Sequence, residues 1–253
     1  GTLADGTTTS RSTPVDAPSL SSGVASLEAN DSHSCVLLKE GGVKCWGYNG
    51  YGQMGTGVTS MAQSTPASVA GLSGRPVSFS AHAANGCAVT AGGGAKCWGR
   101  NEFGQVGDNT SATRLVPTDV SGLTSRVSSI ANGGYHACAL TATGGVKCWG
   151  YNANGQLGDG TPFMRFTPVD VTGLTSGVAS VVTGTMHTCA LTTAGGVKCW
   201  GENSQGSLGN GATTGSLTPV DVDGLGSGVV ALSAHGFGHT CALTATGGVK
   251  CWG

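Results

Sequence analysis

The sequence predicts an all-β fold, a five-bladed β-propeller of four-stranded blades. Three observations carry this expectation. A Lys-Cys-Trp-Gly core, first set in Gly41-Gly42-Val43-Lys44-Cys45-Trp46-Gly47, recurs at residues 96–99, 147–150, 198–201 and 250–253 and holds all five tryptophans. Cys45, Cys97, Cys148, Cys199 and Cys251 follow one another every 51 or 52 residues, and a fixed period of that size marks a propeller or a solenoid. Between Gly-rich turns the apolar residues alternate with period two, which is strand patterning.

The elements can be justified in order. Gly1-Thr2-Leu3-Ala4-Asp5-Gly6-Thr7 matches Gly155-Gln156-Leu157-Gly158-Asp159-Gly160-Thr161, so the first residues read as the middle of a unit. Thr13-Pro14-Val15-Asp16 follows and recurs as Thr167-Pro168-Val169-Asp170 and Thr218-Pro219-Val220-Asp221, with looser copies at residues 65–68 and 116–119. This is strand d, whose Pro suits an edge position that donates no ladder hydrogen bond. A Gly-Leu-x-Ser connection leads to strand a, as at residues 178–182, then to strand b at 187–192 and strand c at 197–200. If Cys189 faces Cys199, Thr192 faces Gly196 and the turn is Thr193-Ala194-Gly195. A three-residue hairpin loop wants a left-handed third residue, and Gly supplies it without strain.

The resulting units are 1–47, 48–99, 100–150, 151–201 and 202–253, all within one propeller domain over 1–253. The ring is expected to close by the N-terminal strand, residues 12–16, joining the last blade. On strand c, Lys44, Lys96, Lys147, Lys198 and Lys250 point away from the cysteine side, and ion pairs are expected with Asp16, Asp119, Asp170 and Asp221 on strand d.

The same register pairs the ten cysteines as 35–45, 87–97, 138–148, 189–199 and 241–251. Directly opposed strand residues are close enough for a disulfide, and a disulfide framework places the protein in a secreted, periplasmic or cell-surface setting. The competing reading is a metal site from His33, His136, His187 and His239, each two residues before a cysteine. It supplies three ligands where a structural zinc takes four, so no metal and no cofactor is expected, and the histidines read as ring-to-backbone hydrogen bonds at a strand start. Charged residues are only 10% of the chain and the net charge is −1, which does not suit a nucleic-acid binder. No apolar run is long enough to span a bilayer.

The unit pattern Gly-x-x-His-x-Cys-Ala-Leu-Thr…Gly-Gly-Val-Lys-Cys-Trp-Gly-x-Asn-x-x-Gly-Gln-Leu-Gly, seen over residues 135–158 and 184–208, resembles the regulator of chromosome condensation repeat family along essentially the whole chain. The resemblance implies a propeller, although that family's members typically have seven blades. Its founding member is a nucleotide exchange factor for a small GTPase on chromatin. The fold is also similar to that of a secreted bacterial proteinaceous inhibitor of beta-lactamases, which implies target binding through loops on one face.

Up-and-down connectivity puts the a–b and c–d loops on one face and the b–c and d–a turns on the other. The second set is nearly uniform. The first differs from unit to unit and holds all four tyrosines and all four methionines. Aromatic, Met and Arg side chains are enriched at protein interfaces. The predicted partner-binding residues are therefore Tyr48, Tyr51, Arg100, Phe103, Tyr135, Tyr151, Phe163, Arg165, Met186 and Phe237. The function expected is a non-catalytic extracellular module recognising a protein or a glycan. The alternative is a structural unit of a larger surface protein or filament, for which the offset first residues speak. A propeller lyase is the third reading, with His82, His235, Glu28 and Glu102 as the unit-specific acid–base candidates. Asp5-Gly6 and Asp159-Gly160 read as turns rather than calcium ligands.

Overall fold

The register that brings each cysteine pair face to face across its hairpin is the register the chain adopts. In the computed structural model, which describes residues 1–253 apart from Asp31, Ser73, Phe237 and the side chain of His235, Cys35, Cys87, Cys138, Cys189 and Cys241 sit opposite Cys45, Cys97, Cys148, Cys199 and Cys251. All five pairs are disulfides with Cα atoms 4.1 Å apart. Thr192 N–H donates to Gly196 O at 2.8 Å and Gly195 N–H to Thr192 O at 2.9 Å. Gly195 has φ +80°, the left-handed position that the three-residue turn requires.

The strands form five antiparallel sheets. The first is β1 (Val24–Ala29), β2 (His33–Leu38), β3 (Val43–Asn49) and β4 (Ser60–Ser68). The second is β5 (Ser78–His82), β6 (Asn85–Val89), β7 (Ala95–Gly99) and β8 (Arg114–Asp119). The third is β9 (Val127–Asn132), β10 (His136–Thr141), β11 (Val146–Gly150) and β12 (Arg165–Asp170). The fourth is β13 (Val178–Thr183), β14 (His187–Thr192), β15 (Val197–Gly201) and β16 (Ser216–Asp221), and the fifth is β17 (Val229–His235), β18 (His239–Thr244) and β19 (Val249–Trp252). Each sheet is one blade with its strands in chain order. Strand a is innermost, because Glu28, Ser80, Ala131, Val182 and Ser233, one from each first strand, line a common axial depression.

Blades pack unlike face on unlike face. One side of a blade carries the disulfide and large aliphatics, the other small residues and the tryptophan. Cys87, Val89, Cys97 and Val106 of the second blade pack on Ile130, Ala137, Ala139 and Trp149 of the third. The same arrangement joins the third unit to Trp200 and the first to Trp98. Full burial of each large apolar side chain contributes about 1.5–3 kcal/mol. Each indole also reaches back to the c–d loop of the preceding blade. Trp98, Trp149, Trp200 and Trp252 Nε1 donate to the carbonyls of Gln53, Gln105, Gln156 and Ser207 at 2.8–2.9 Å. The close approach needs a glycine: a Cβ on Gly158 would lie 2.7 Å from Trp200 Nε1.

The expected closure is where structure and sequence reading part. The last sheet has three strands, and among the described residues no fourth strand pairs with β19. Residues 12–16 form no strand. The N-terminal segment lies instead on the first blade, where Trp46 Nε1 donates to Thr2 O at 2.8 Å and Gly6 N–H to Ser64 O at 3.1 Å. The physical reason is the indole rule: a segment of this sequence seats on the tryptophan that follows it. Of the expected ion pairs, Lys96–Asp119, Lys147–Asp170 and Lys198–Asp221 form at 2.6–2.7 Å. Lys44 faces Ser68 instead. The three aspartates are more than 60% exposed, so each pair contributes roughly 0–1 kcal/mol.

A substitution pair tests the indole seat. Gly173 also has positive φ, but a Cβ there meets nothing within 4 Å. Gly173→Ala should cost about 1–2 kcal/mol, the left-handed penalty alone. Gly158→Ala should cost about 1–3 kcal/mol more, through overpacking against Trp200. Equal losses in urea unfolding would show that the glycine does not serve the indole.

Candidate binding face

The c–d loops are braced before they present anything. Asn49, Asn101, Asn152 and Asn203 are buried, and their side-chain oxygens accept from Met54, Val106, Leu157 and Leu208 N–H at 2.8–2.9 Å. Their amide nitrogens donate across the loop, Asn152 for instance to Thr161 O at 2.7 Å and Phe163 O at 3.0 Å. Gln53 and Gln105 Oε1 accept from the N–H groups of Tyr51 and Phe103 at 3.0 and 2.9 Å. The aromatic residues are thus mounted on a hydrogen-bonded polar frame rather than on free loop, although Gln105 Nε2 is buried without a partner among the described residues.

A second brace recurs six residues apart. Arg11, Arg114 and Arg165 clamp Asp5, Asp108 and Asp159 at 2.9, 2.6 and 2.7 Å. At Asp159, desolvation works against the charge, but hydrogen bonds from Arg165 and Thr161 outweigh it and hold the carboxyl below the usual range. Asp5, bonded mainly to Thr7, is lowered as well. These carboxylates close turns, as expected. Arg165 is engaged here, on the flank of its loop.

The a–b loops stand on buried histidines. His136 and His187 Nε2 meet the hydroxyls of Thr188 and Thr240, one blade further on, at 2.8 and 2.9 Å. The expected ring-to-backbone bond is therefore corrected to a side-chain bond across the blade interface. Where the next blade offers Ala137 rather than a hydroxyl, the second unit carries Asn85, whose amide donates to Trp98 O at 3.2 Å and to Arg100 O at 2.5 Å. The unit that lacks the histidine is the one that anchors Arg100.

Arg100 is the centre of the face. Its guanidinium lies 5.1 Å from the Tyr51 ring centroid, 5.8 Å from Tyr135 and 5.9 Å from Phe103, and it pairs with Glu102. Phe103 meets Tyr135 at 5.8 Å and Tyr151 at 5.1 Å, Tyr135 meets Tyr151 at 6.2 Å, and Tyr48 meets Tyr51 at 6.3 Å. Two shallow depressions flank the guanidinium. One, of about 230 Å³, is lined by Arg100, Phe103, Tyr135, Tyr151 and Met186. The other, of about 200 Å³, has Tyr48 and Tyr51 with Arg100 and Tyr135. Seven of the predicted residues are thus brought together. Phe163 is exposed outside both depressions, and Phe237 lies outside the described residues. Glu102, singled out in the sequence as an acid–base candidate, is instead the counter-ion of Arg100.

Comparison with known proteins gives the arrangement its relatives. Residues 40–90, 97–140, 143–191 and 194–243 match the Regulator of chromosome condensation (RCC1) repeat. The Ultraviolet-B receptor UVR8 of Arabidopsis thaliana is 30% identical over 259 residues, covering all of this chain and 58% of the receptor. The Probable E3 ubiquitin-protein ligase HERC4 of Mus musculus is 35% identical over 196 residues, 76% of this chain and 18% of the ligase. Human WBSCR16 superposes with a TM-score of 0.77 at 29% identity, over 87% of this chain and 57% of that one. Yeast Prp20, solved bound to Kap60, superposes with 0.76 at 23% identity, over 90% and 55%, a likeness of fold alone. The chain therefore spans 18–58% of the length of these proteins.

Burial makes the histidine floor acid-sensitive. Desolvation, with His82 as the neighbouring charge, lowers His33 to about 4. Desolvation, with His187 and His82, lowers His136 to about 3. His187 falls to about 4 by desolvation, which Glu202 opposes and His239 assists. In the unfolded chain these rings titrate near ~6.5. Below that pH the unfolded state binds more protons than the native state, so stability is full above it and falls as pH drops towards the native values. The slope should approach about 1.4 kcal/mol per pH unit for each histidine. Urea unfolding at a series of pH values reads it, and His136→Asn, the residue type the second unit uses, should flatten the slope. A pH-independent stability between these limits would contradict the assignment.

Proposed function

The chain belongs to the Regulator of chromosome condensation repeat family, and from that premise we propose that it is a non-catalytic module that binds a protein through the Arg100 face in an extracellular or periplasmic setting. The observation that carries the proposal is the continuous cluster of Tyr48, Tyr51, Arg100, Phe103, Tyr135, Tyr151 and Met186, drawn from different units onto one face. Its chemistry is that of an interface centre: aromatic and Arg side chains of limited flexibility around shallow concavities. The opposite turns carry no aromatic residue; they are mostly Thr, Ser, Ala and Gly, with the exposed charges of Lys39, Glu40, Arg75 and Arg126 set in them. Five disulfides suit an oxidising compartment.

Side-chain chemistry favours a protein over a glycan: Arg100 and Met186 stand among the rings, and Arg, Met and aromatic residues are the types enriched at protein interfaces. An enzymatic reading has less support. Glu102 is neutralised by Arg100, and Glu28, whose carboxyl burial lifts above the usual range, lines the axial depression rather than this face. The ligase named among the relatives is matched over 18% of its length, so its activity does not carry over with the repeats.

The test is quantitative capture from the native extracellular fluid, followed by affinity measurement on the captured protein. Arg100→Ala, Phe103→Ala and Tyr135→Ala should each lose about 2 kcal/mol or more, roughly 30-fold in Kd, with unfolding midpoints nearly unchanged. Ala194→Lys, on the exposed b–c turn, should bind as the parent does. A partner held equally by all three face variants, or lost with Ala194→Lys, would place the interface elsewhere.

A further inference from the structure

Three arginines of this molecule grip a carboxylate firmly, and Arg100 does so only in part. Arg11 puts Nε and Nη2 on Asp5 Oδ2 at 3.1 and 2.9 Å. Arg165 does the same to Asp159 Oδ2 at 2.8 and 2.7 Å, and Arg114 Nε donates to Asp108 Oδ2 at 2.6 Å. Those three carboxylates are enclosed, with side chains 6–9% exposed. Arg100 donates from Nη2 alone, to Glu102 Oε1. Its buried Nε has no partner among the described residues, and neither has Nη1. A guanidinium offers five N–H donors in a fork matched to a carboxylate, and a buried donor left unpaired is costly. Glu102, 48% exposed, is therefore a partial counter-ion, half open to solvent.

The surroundings select what else could take that fork. Among the described residues, Arg100 is the only charged side chain lining either of the two depressions, so the charge presented within them is positive. Three rings lie 5.1–5.9 Å from the guanidinium and keep water from its flanks, which strengthens a charge–charge contact made there. A single arginine suits a single carboxylate, whereas phosphorylated segments are held by clusters of arginines. To either side the lining is largely apolar, with Phe103, Tyr151 and Met186 in one depression and Tyr48 and Tyr51 in the other. Their volumes are about 230 and 200 Å³. A cavity of roughly 150 Å³ accommodates benzene, so each depression takes one apolar side chain. Apolar residues on both sides of the anion require chain before and after it, which a terminal carboxylate does not have.

We propose that the partner enters this face with an Asp or Glu side chain set between two apolar ones, and that its carboxylate displaces Glu102 from Arg100. The inference rests on the Arg100 face being the interface. Glu102 then acts as a gate. It keeps the guanidinium paired while the face is free, and it turns to solvent when a better-enclosed carboxylate arrives. The exchange leaves no charge buried unpaired: the partner's carboxylate is enclosed on Arg100 as Asp5, Asp108 and Asp159 are enclosed on their own arginines.

Selection of a random peptide display library on the immobilised full chain tests this. The selected peptides should share an Asp or Glu with an apolar residue on each side. Synthetic copies should bind Glu102→Gln, which lacks the competing carboxylate, about twofold to fivefold more tightly. They should bind Arg100→Lys, which keeps the charge and loses the fork, about tenfold or more weakly. Replacing the acidic residue of the peptide by its amide should cost a similar factor on the parent protein and nothing on Arg100→Ala. Peptides that depend on Phe103 and Tyr135 but carry no acidic residue, or that bind Glu102→Gln more weakly, would overturn the carboxylate inference and leave the face as the interface. Peptides indifferent to Arg100→Ala, Phe103→Ala and Tyr135→Ala alike would overturn both, by placing the interface elsewhere.

Discussion

Everything in this molecule is spaced by one contact, an indole N–H that reaches over a glycine to a carbonyl of the blade before it. It appears at Trp98 with Gln53, Trp149 with Gln105, Trp200 with Gln156 and Trp252 with Ser207. A buried indole needs a partner for its N–H, and a carbonyl delivered from the neighbouring unit makes that partner the fastener between blades. The contact couples local sequence to global form. It demands Gly-x-x-Gly before a strand, Cys-Trp-Gly some 44–45 residues later, and a strand-d edge between them. The period of the sequence is the length of chain needed to leave one seat and arrive at the next.

That constraint also explains which parts were legible beforehand. Strand identity, hairpin register and the disulfide pairs follow from period-two alternation and a three-residue turn. Both are local, and both are fixed by residues such as Cys189, Cys199 and Gly195. Closure was not legible, because residues 12–16 match strand d whichever blade they join. Only the seat of Thr2 on Trp46, a contact across 44 residues, decides it. The histidine partners were readable and missed at two blades, where Thr188 and Thr240 follow the histidines of the next units; His33 faces a blade that offers Gly86 at that position and bonds to no hydroxyl. A residue pattern that runs from one repeat to its neighbour is easily overlooked when repeats are compared only by superposition.

At the candidate site the face was legible and its internal order was not. Alternation assigns loops to a side, so Tyr48, Tyr51, Phe103, Tyr135 and Tyr151 could be placed together. What the sequence did not disclose is that half of each c–d loop is framework. Asn49, Asn101, Asn152 and Asn203 look like loop residues but are buried and fully used. Arg165 sits between Met164 and Phe166, an interface-like neighbourhood, and holds Asp159. The discriminating signal was recurrence: Asp-x-Thr followed by Arg appears at Asp5, Asp108 and Asp159, whereas the Arg100–Glu102 pair occurs once. Repeated side chains maintain the scaffold, and those that break the repeat are free to serve a partner.

The rigidity of this face then follows from the scaffold rather than from the aromatic residues themselves. Binding by a flexible loop costs the entropy of ordering it. Here the backbone N–H groups of Tyr51 and Phe103 are already held by Gln53 and Gln105, and those glutamines offer their carbonyls to Trp98 and Trp149. One residue thus joins the interblade fastener to the platform that carries the rings. With charged residues so few and the Lys–Asp pairs exposed, order here comes from buried amides and apolar contact, which salt screens little. On the proposed reading, a partner at Arg100 would meet a cation flanked by three rings and tied to Glu102, so discrimination would fall to shape and to what can displace or share that carboxylate.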